Sequence, residues 1–203
     1  MDKVRREIFF VGIGGQGIRL LSILLAQAYI KKGWYALQSS IYDSAPRSGL
    51  TRSEVVAANY EYWYPKTRRP DISIFLEGKY FDWYLDNIKD SLIVVDSTQK
   101  EKIENVLRNN PQARDLKIIY HPFIEITRDE LGYFRGLNIY VLAYVAAYFN
   151  DIDKELLIQV MDERLGKRNR DHNLQALDYG YQAGIKLRQE VKGLWCYLSM
   201  IWQ

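Results

Sequence analysis

Ile8-Phe9-Phe10-Val11-Gly12-Ile13-Gly14-Gly15-Gln16-Gly17-Ile18 is the stretch that decides the fold. Its first four residues form a compact β-favouring apolar run, and Gly12 ends that run where a strand-to-helix turn can begin. From Ile18 to Lys32 the apolar side chains of Ile18, Leu21, Leu25 and Tyr29 recur at helical spacing, and Gly33 stands where a C-terminal cap belongs. Trp34 to Gln38 then reads as a second short strand. Strand, turn, helix and strand within about thirty residues make the unit that builds parallel sheets.

Working outward, Ser39 to Thr51 reads as a polar loop broken by Pro46 and Gly49, and it leads into a strand at Ser53 to Ala58 centred on Val55 and Val56. Asp71 to Leu76, Leu92 to Val95 and Lys117 to Tyr120 repeat the short β-rich pattern. Between them, Lys79 to Asp90 is helix-compatible and Lys102 to Asn109 is helical. This alternation predicts an α/β chain with a single doubly wound, mostly parallel, Rossmann-like sheet. After Leu137 the character changes. Asn138 to Phe149 is almost wholly apolar, Lys154 to Leu165 is amphipathic, and Asn169 to Val191 carries a sparse apolar stripe, which together predict a helical C-terminal section. No Pro/Gly/Ser-rich linker precedes it, so residues 1–203 are expected to form one domain.

Composition narrows the function classes. With 48% hydrophobic and 26% charged residues the chain has a globular make-up able to bury a core without staples. Its 28 basic and 25 acidic residues nearly balance, unlike the strongly basic footprint of a dedicated nucleic-acid binder. The lone Cys196 excludes an intrachain disulfide, a Cys-ligated zinc site and an iron–sulfur cluster held by this chain alone, and it fits a reducing cytoplasm. Lys3, Arg5 and Arg6 before Ile8 resemble a secretory signal only superficially, because the apolar run is too short and leads into a Gly-rich turn. Leu20 to Leu25 is likewise too short to span a bilayer. His121 and His172 lack a metal-like spacing of Cys or carboxylate partners, so no metal site is expected. The aromatic C-terminal run from Leu194 to Trp202 suggests an assembly interface.

Gly12 to Gly17 satisfies G-x-G-x-x-G between a predicted strand and a predicted helix. Such glycines permit a tight turn and a close ligand approach, while the free N–H groups of the helix start attract anions. A dinucleotide site of the NAD kind also needs an acidic residue at the end of the second strand. Here that region is Ala36-Leu37-Gln38-Ser39-Ser40, and the nearest carboxylate, Asp43, lies beyond it. Phosphate binding and a purely structural turn both remain open. Gln16 places an amide at the mouth of the turn, where it bonds either a ligand or the loop itself. Arg47 and Arg52, with several hydroxyls, make Tyr42 to Arg52 suited to phosphate or carboxylate recognition.

Taken in order, the turn Gly12–Gly17, the arginine loop Tyr42–Arg52 followed by Ser53-Glu54-Val55-Val56, Pro70-Asp71-Ile72, and Val94-Val95-Asp96-Ser97 resemble the pyruvate/ketoisovalerate oxidoreductase gamma family. Asn138 opening an apolar helix, and Asn173 opening the last helix with Ala176 and Gly180, resemble its C-terminal part. The resemblance implies the gamma subunit of a 2-oxoacid:ferredoxin oxidoreductase, an enzyme that oxidatively decarboxylates a 2-oxoacid to acyl-CoA and passes electrons to ferredoxin. It further implies partner alpha, beta and ferredoxin-like delta subunits carrying thiamine diphosphate and 4Fe-4S clusters, a possible homodimer contact, and no catalytic residue on this chain. Gly12, Gly14, Gly15, Gln16, Gly17 and Arg47 match the motif positions implied to help form the coenzyme A site. The family commonly has Arg-Gly-Gly where this chain has Arg47-Ser48-Gly49. Ser48 takes a positive φ less readily than glycine, so the loop geometry is expected to differ. The alternative function is a stand-alone nucleotide- or acyl-CoA-binding module.

Overall fold

The computed structural model describes residues 2–42 and 49–201, with side chains to residue 193. Six strands form one sheet: β1 (Arg5–Ile13), β2 (Tyr35–Tyr42), β3 (Leu50–Ala58), β4 (Ile72–Phe75), β5 (Leu92–Asp96) and β6 (Lys117–His121). The helices are α1 (Ile18–Lys31), α2 (Leu85–Ile88), α3 (Lys100–Asn109), α4 (Phe123–Glu125), α5 (Leu137–Phe149), α6 (Lys154–Leu165) and α7 (Arg170–Ile201). The spatial order is β2-β3-β1-β4-β5-β6. β1, β4, β5 and β6 run parallel, and β3 is antiparallel to both β1 and β2. The sheet is therefore doubly wound and mostly parallel, with one reversed strand.

That reversed strand corrects the simple strand–helix–strand unit. β1 and β2 do run in the same direction, but β3 lies between them and pairs with each along its full length. The expected loop Ser39–Thr51 is also too long: Ser39 to Tyr42 extend β2, and Leu50 and Thr51 already belong to β3. The polar residues there are satisfied in the sheet. Gln38 Nε2 donates to Ser22 Oγ at 3.1 Å, and the Ser40 and Ser53 hydroxyls stand 2.7 Å apart. Asp43, Arg47 and Ser48 lie outside the described residues. The helix-compatible stretch Lys79–Asp90 resolves into a 3-10 turn, Phe81–Tyr84, and the single-turn α2.

Alternation along β1 feeds two cores. Ile8 and Phe10 point to the face covered by α1 and α5, with α6 packed chiefly on α1 and α7 on α5. Phe9 and Val11 point to the opposite face, where Phe75, Phe81, Tyr84, Ile88 and Ile103 complete a smaller core. α5 is buried from Leu137 to Ala147, which explains why it is apolar all round. Two buried carboxylates secure the 59–71 connection at the other end of the sheet. Glu7 Oε2 accepts from the N–H groups of Arg68 and Arg69, and Glu54 Oε2 accepts from Thr67.

Candidate functional site

At the carboxyl end of β1 the chain turns into α1 on one face, whereas after β4 it turns to the opposite face. The crevice between these two adjacent strand ends is a topological switch point, the place where open α/β sheets receive ligands. Gly12 to Gly17 occupy it.

Each part of the turn has a local physical reason. Gly17 sits in the left-handed region at φ 75° as the N-cap of α1, and a Cβ there would meet Asn138 Cβ at 2.8 Å. A Cβ at Gly12 would strike the Gln16 carboxamide and stand 2.9 Å from Ile18 Cγ1. Gly15 is exposed at φ 99° with open space around its Cα. Gly14 N–H donates to the Gly49 carbonyl at 3.1 Å, which ties the turn to the start of β3.

Gln16 is buried. Its Oε1 accepts from Ile13 N–H at 2.9 Å, and its Nε2 donates across the crevice to the Leu76 carbonyl at 3.3 Å. The side chain thus joins the ends of β1 and β4 and closes the floor of the crevice from inside. Among the described residues no side chain caps α1, and no acidic residue lies in its first turn. The first N–H groups of α1 therefore lie at this strand end with a favourable dipole and without a competing carboxylate in their own turn.

Of the two arginines in the loop, Arg47 lies outside the described residues. Arg52 turns away from the glycines: its NH2 pairs with Glu54 at 3.0 Å and its guanidinium lies over Phe9 and Tyr84 on the smaller core's face. Arg19 is the cation nearest the turn in sequence, an exposed residue in the first turn of α1 whose guanidinium stands 5.9 Å from the Tyr42 ring. A basic residue two positions past the last glycine was its available sequence signal. The histidines lie elsewhere. His121 Nε2 is 2.9 Å from the Tyr140 hydroxyl, and burial lowers its pKa to about 4, so the ring is neutral at pH 7. His172 is exposed and stacks on Tyr133 at 4.9 Å. Among the described residues no cluster of His, Cys, Asp or Glu is arranged to hold a metal, and no helix is long and apolar enough to cross a membrane.

The model of the pyruvate ferredoxin/flavodoxin oxidoreductase family matches residues 7–183, and the chain belongs to that family. It is 30% identical to the 2-oxoglutarate synthase subunit KorC of Methanocaldococcus jannaschii over 191 residues, covering 91% of this chain and 97% of the relative. The corresponding subunit of Methanothermobacter thermautotrophicus is 29% identical over 194 residues, covering 94% and 98%. Among solved structures, the gamma subunit of a keto/oxoacid ferredoxin oxidoreductase from Geobacter sulfurreducens shares the fold with a TM-score of 0.72 at 24% identity, over 90% of this chain and 98% of that one. A 2-oxoglutarate:ferredoxin oxidoreductase from Magnetococcus marinus, solved with 2-oxoglutarate, coenzyme A and succinyl-CoA bound, matches with a TM-score of 0.76 at 19% identity. That match covers 92% of this chain and 32% of the larger one.

Proposed function

We propose that this chain is the gamma-type subunit of a 2-oxoacid:ferredoxin oxidoreductase, active only in a complex, in which it supports CoA-dependent oxidative decarboxylation. The observation that carries this reading is the uncapped, acid-free start of α1 at the switch point, on a chain matched by the family over residues 7–183. Backbone N–H groups of Gly15, Gly17 and the first turn of α1, together with the Arg47 guanidinium, bind phosphate groups of coenzyme A. Gly12, Gly14 and Gln16 hold the turn in the shape that presents those groups. Bound there, coenzyme A supplies the thiol that accepts the acyl group.

Thiamine diphosphate and 4Fe-4S clusters belong on the alpha, beta and ferredoxin-like delta partners, and ferredoxin takes the electrons. The single cysteine supports that division, since one thiolate is too few for a cluster. The same thiol economy supports a cytoplasmic location, and residues 1–203 act as one gamma-type domain.

The test is reconstitution of the complex and an assay of 2-oxoacid-dependent, CoA-dependent dye reduction. Arg47→Ala is expected to raise KM for CoA about tenfold with little change in kcat, as loss of a charge-assisted contact does. An unchanged KM would remove Arg47 from the site, and inactivity with every 2-oxoacid would overturn the function. Tight binding of a nucleotide or acyl-CoA by the isolated chain, without assembly, would favour the stand-alone module.

A further inference from the structure

Beside the Gly-rich turn, on its α5 side, lies a second feature. α5 and α7 run parallel in contact: Gly136 faces Ala176, Gly180 faces the Tyr140 backbone, and Gly184 faces the Tyr144 backbone. Partners offset by a constant forty positions mean that both helices start at the same end. Asn138, the second residue of α5, also packs on Gly17, the N-cap of α1. The N-terminal turns of three helices of 14, 13 and 32 residues therefore meet in one place.

A cleft of about 200 Å³ opens there, with Leu20 from the first turn of α1, Asn138 from that of α5 and Asn173 from that of α7 in its wall. Each helix start contributes a partial positive charge, and three together focus the field on one cleft. The side chains agree. Arg135 and Arg168 line the cleft, are exposed, and form no ion pair among the described residues. No carboxylate is found among the described residues of its wall. Asn173, only 5% exposed, borders the cleft with a carboxamide that makes no hydrogen bond among the described residues. Its amide atoms are not among the buried unpartnered ones, so they reach the cleft and are free to bond what enters it.

We infer that this cleft is an anion-binding site for a phosphate monoester dianion, held by Arg135 and Arg168 from the rim and by the Asn173 carboxamide from the wall. Two planar guanidinium groups suit the several oxygens of such a dianion, and an amide N–H₂ donates to a third. Arg135, Arg168 and Asn173 have no part in the coenzyme A reading of the Gly-rich turn, although the start of α1 borders both places, so the difference between wild type and variants of these residues reads this cleft alone.

Calorimetry on the full-length chain with inorganic phosphate and with adenosine 3′,5′-bisphosphate tests it. Wild type is expected to bind, and Arg135→Ala/Arg168→Ala to bind at least about tenfold more weakly with an unchanged melting temperature. Asn173→Asp, which places a carboxylate in the wall, should abolish binding, and its circular dichroism reports whether the fold is kept. Tighter binding of the bisphosphate names a nucleotide-borne phosphate as the source, whereas equal affinities name free phosphate. Both outcomes uphold the site. An affinity unchanged by the double substitution, or no binding of either probe up to about 10 mM, would overturn it. A complex lacking CoA-dependent activity would sink the function proposed above and leave this result standing.

Discussion

Glycine is required in two regions of this molecule for opposite reasons. In the turn after β1 the requirement is local: Gly17 holds φ 75° and Gly12 leaves room for the Gln16 carboxamide four residues on. In α7 the requirement comes from another helix. Gly180 and Gly184 sit within a regular helix, and a methyl group on either would collide with a carbonyl oxygen of α5, from Tyr140 and Tyr144 respectively. The first kind is set by the chain's own path, with Asn138 of α5 adding a contact at Gly17, and the second wholly by a neighbour forty residues away. The two regions meet at one end of the fold, where the close α5–α7 approach sets both helix starts beside the turn.

The largest expected effect breaks the helical side of this comparison. Gly180→Ala or Gly184→Ala forces two packed helices apart and should cost about 3 kcal/mol, read by urea unfolding. The local propensity gain of alanine is too small to offset it. Wild-type stability in either variant would show that the α5–α7 contact is looser than its geometry requires.

Protonation attacks the same side from the edge of the sheet. His121 is bonded to Tyr140 of α5, and burial lowers its pKa to about 4. Below the unfolded value of about 6.5 the unfolded chain takes up a proton that the folded chain refuses, so stability present above about 6.5 is lost as pH falls through about 4. The loss approaches about 3 kcal/mol. Unfolding at pH 7 and pH 5 measures its onset, and His121→Gln should have the flatter profile.

Gln16→Ala tests the turn side. It strands the Ile13 N–H and the Leu76 carbonyl at the strand ends, so a loss of about 2 kcal/mol is expected, with reduced hydrogen-exchange protection at Ile13. Gly193→Ala is the smallest effect and the internal control. It lies on the same helix as Gly180 but has open space around it, so alanine should stabilise by about 0.5 kcal/mol. A destabilised Gly193→Ala chain would mean that helix glycines here act through something other than contact with α5.

Much of the architecture was legible because it depends on short-range patterns. The apolar run before Gly12, the helical spacing after Gly17 and the all-round apolar character of α5 each match an observed element. Ser39–Tyr42, the extension of β2, reads as a loop in the sequence because of its polarity. Ser40 and Gln38 are polar since they bond Ser53 and Ser22 across the sheet and to α1, which a single stretch of sequence does not display. The candidate site divides the same way. The turn was visible as six residues, but the destination of the Gln16 amide depends on Leu76, sixty positions away. The loop with Arg47 and Ser48 and the side chains of the aromatic C-terminal run lie outside the described residues.

The sequence by itself determined that an α/β sheet with a glycine turn at its first strand end would form, because backbone freedom at Gly12–Gly17 and side-chain periodicity are properties of neighbouring residues. It also determined that no iron–sulfur cluster rests on this chain's thiols alone, because one cysteine is too few. Only the tertiary structure decided that β3 runs backwards between β1 and β2, that Gln16 spans the crevice, and that three helix starts share one cleft. Those outcomes depend on which surfaces pack together over long separations, where a fit of shape and charge, rather than any local preference, selects the arrangement.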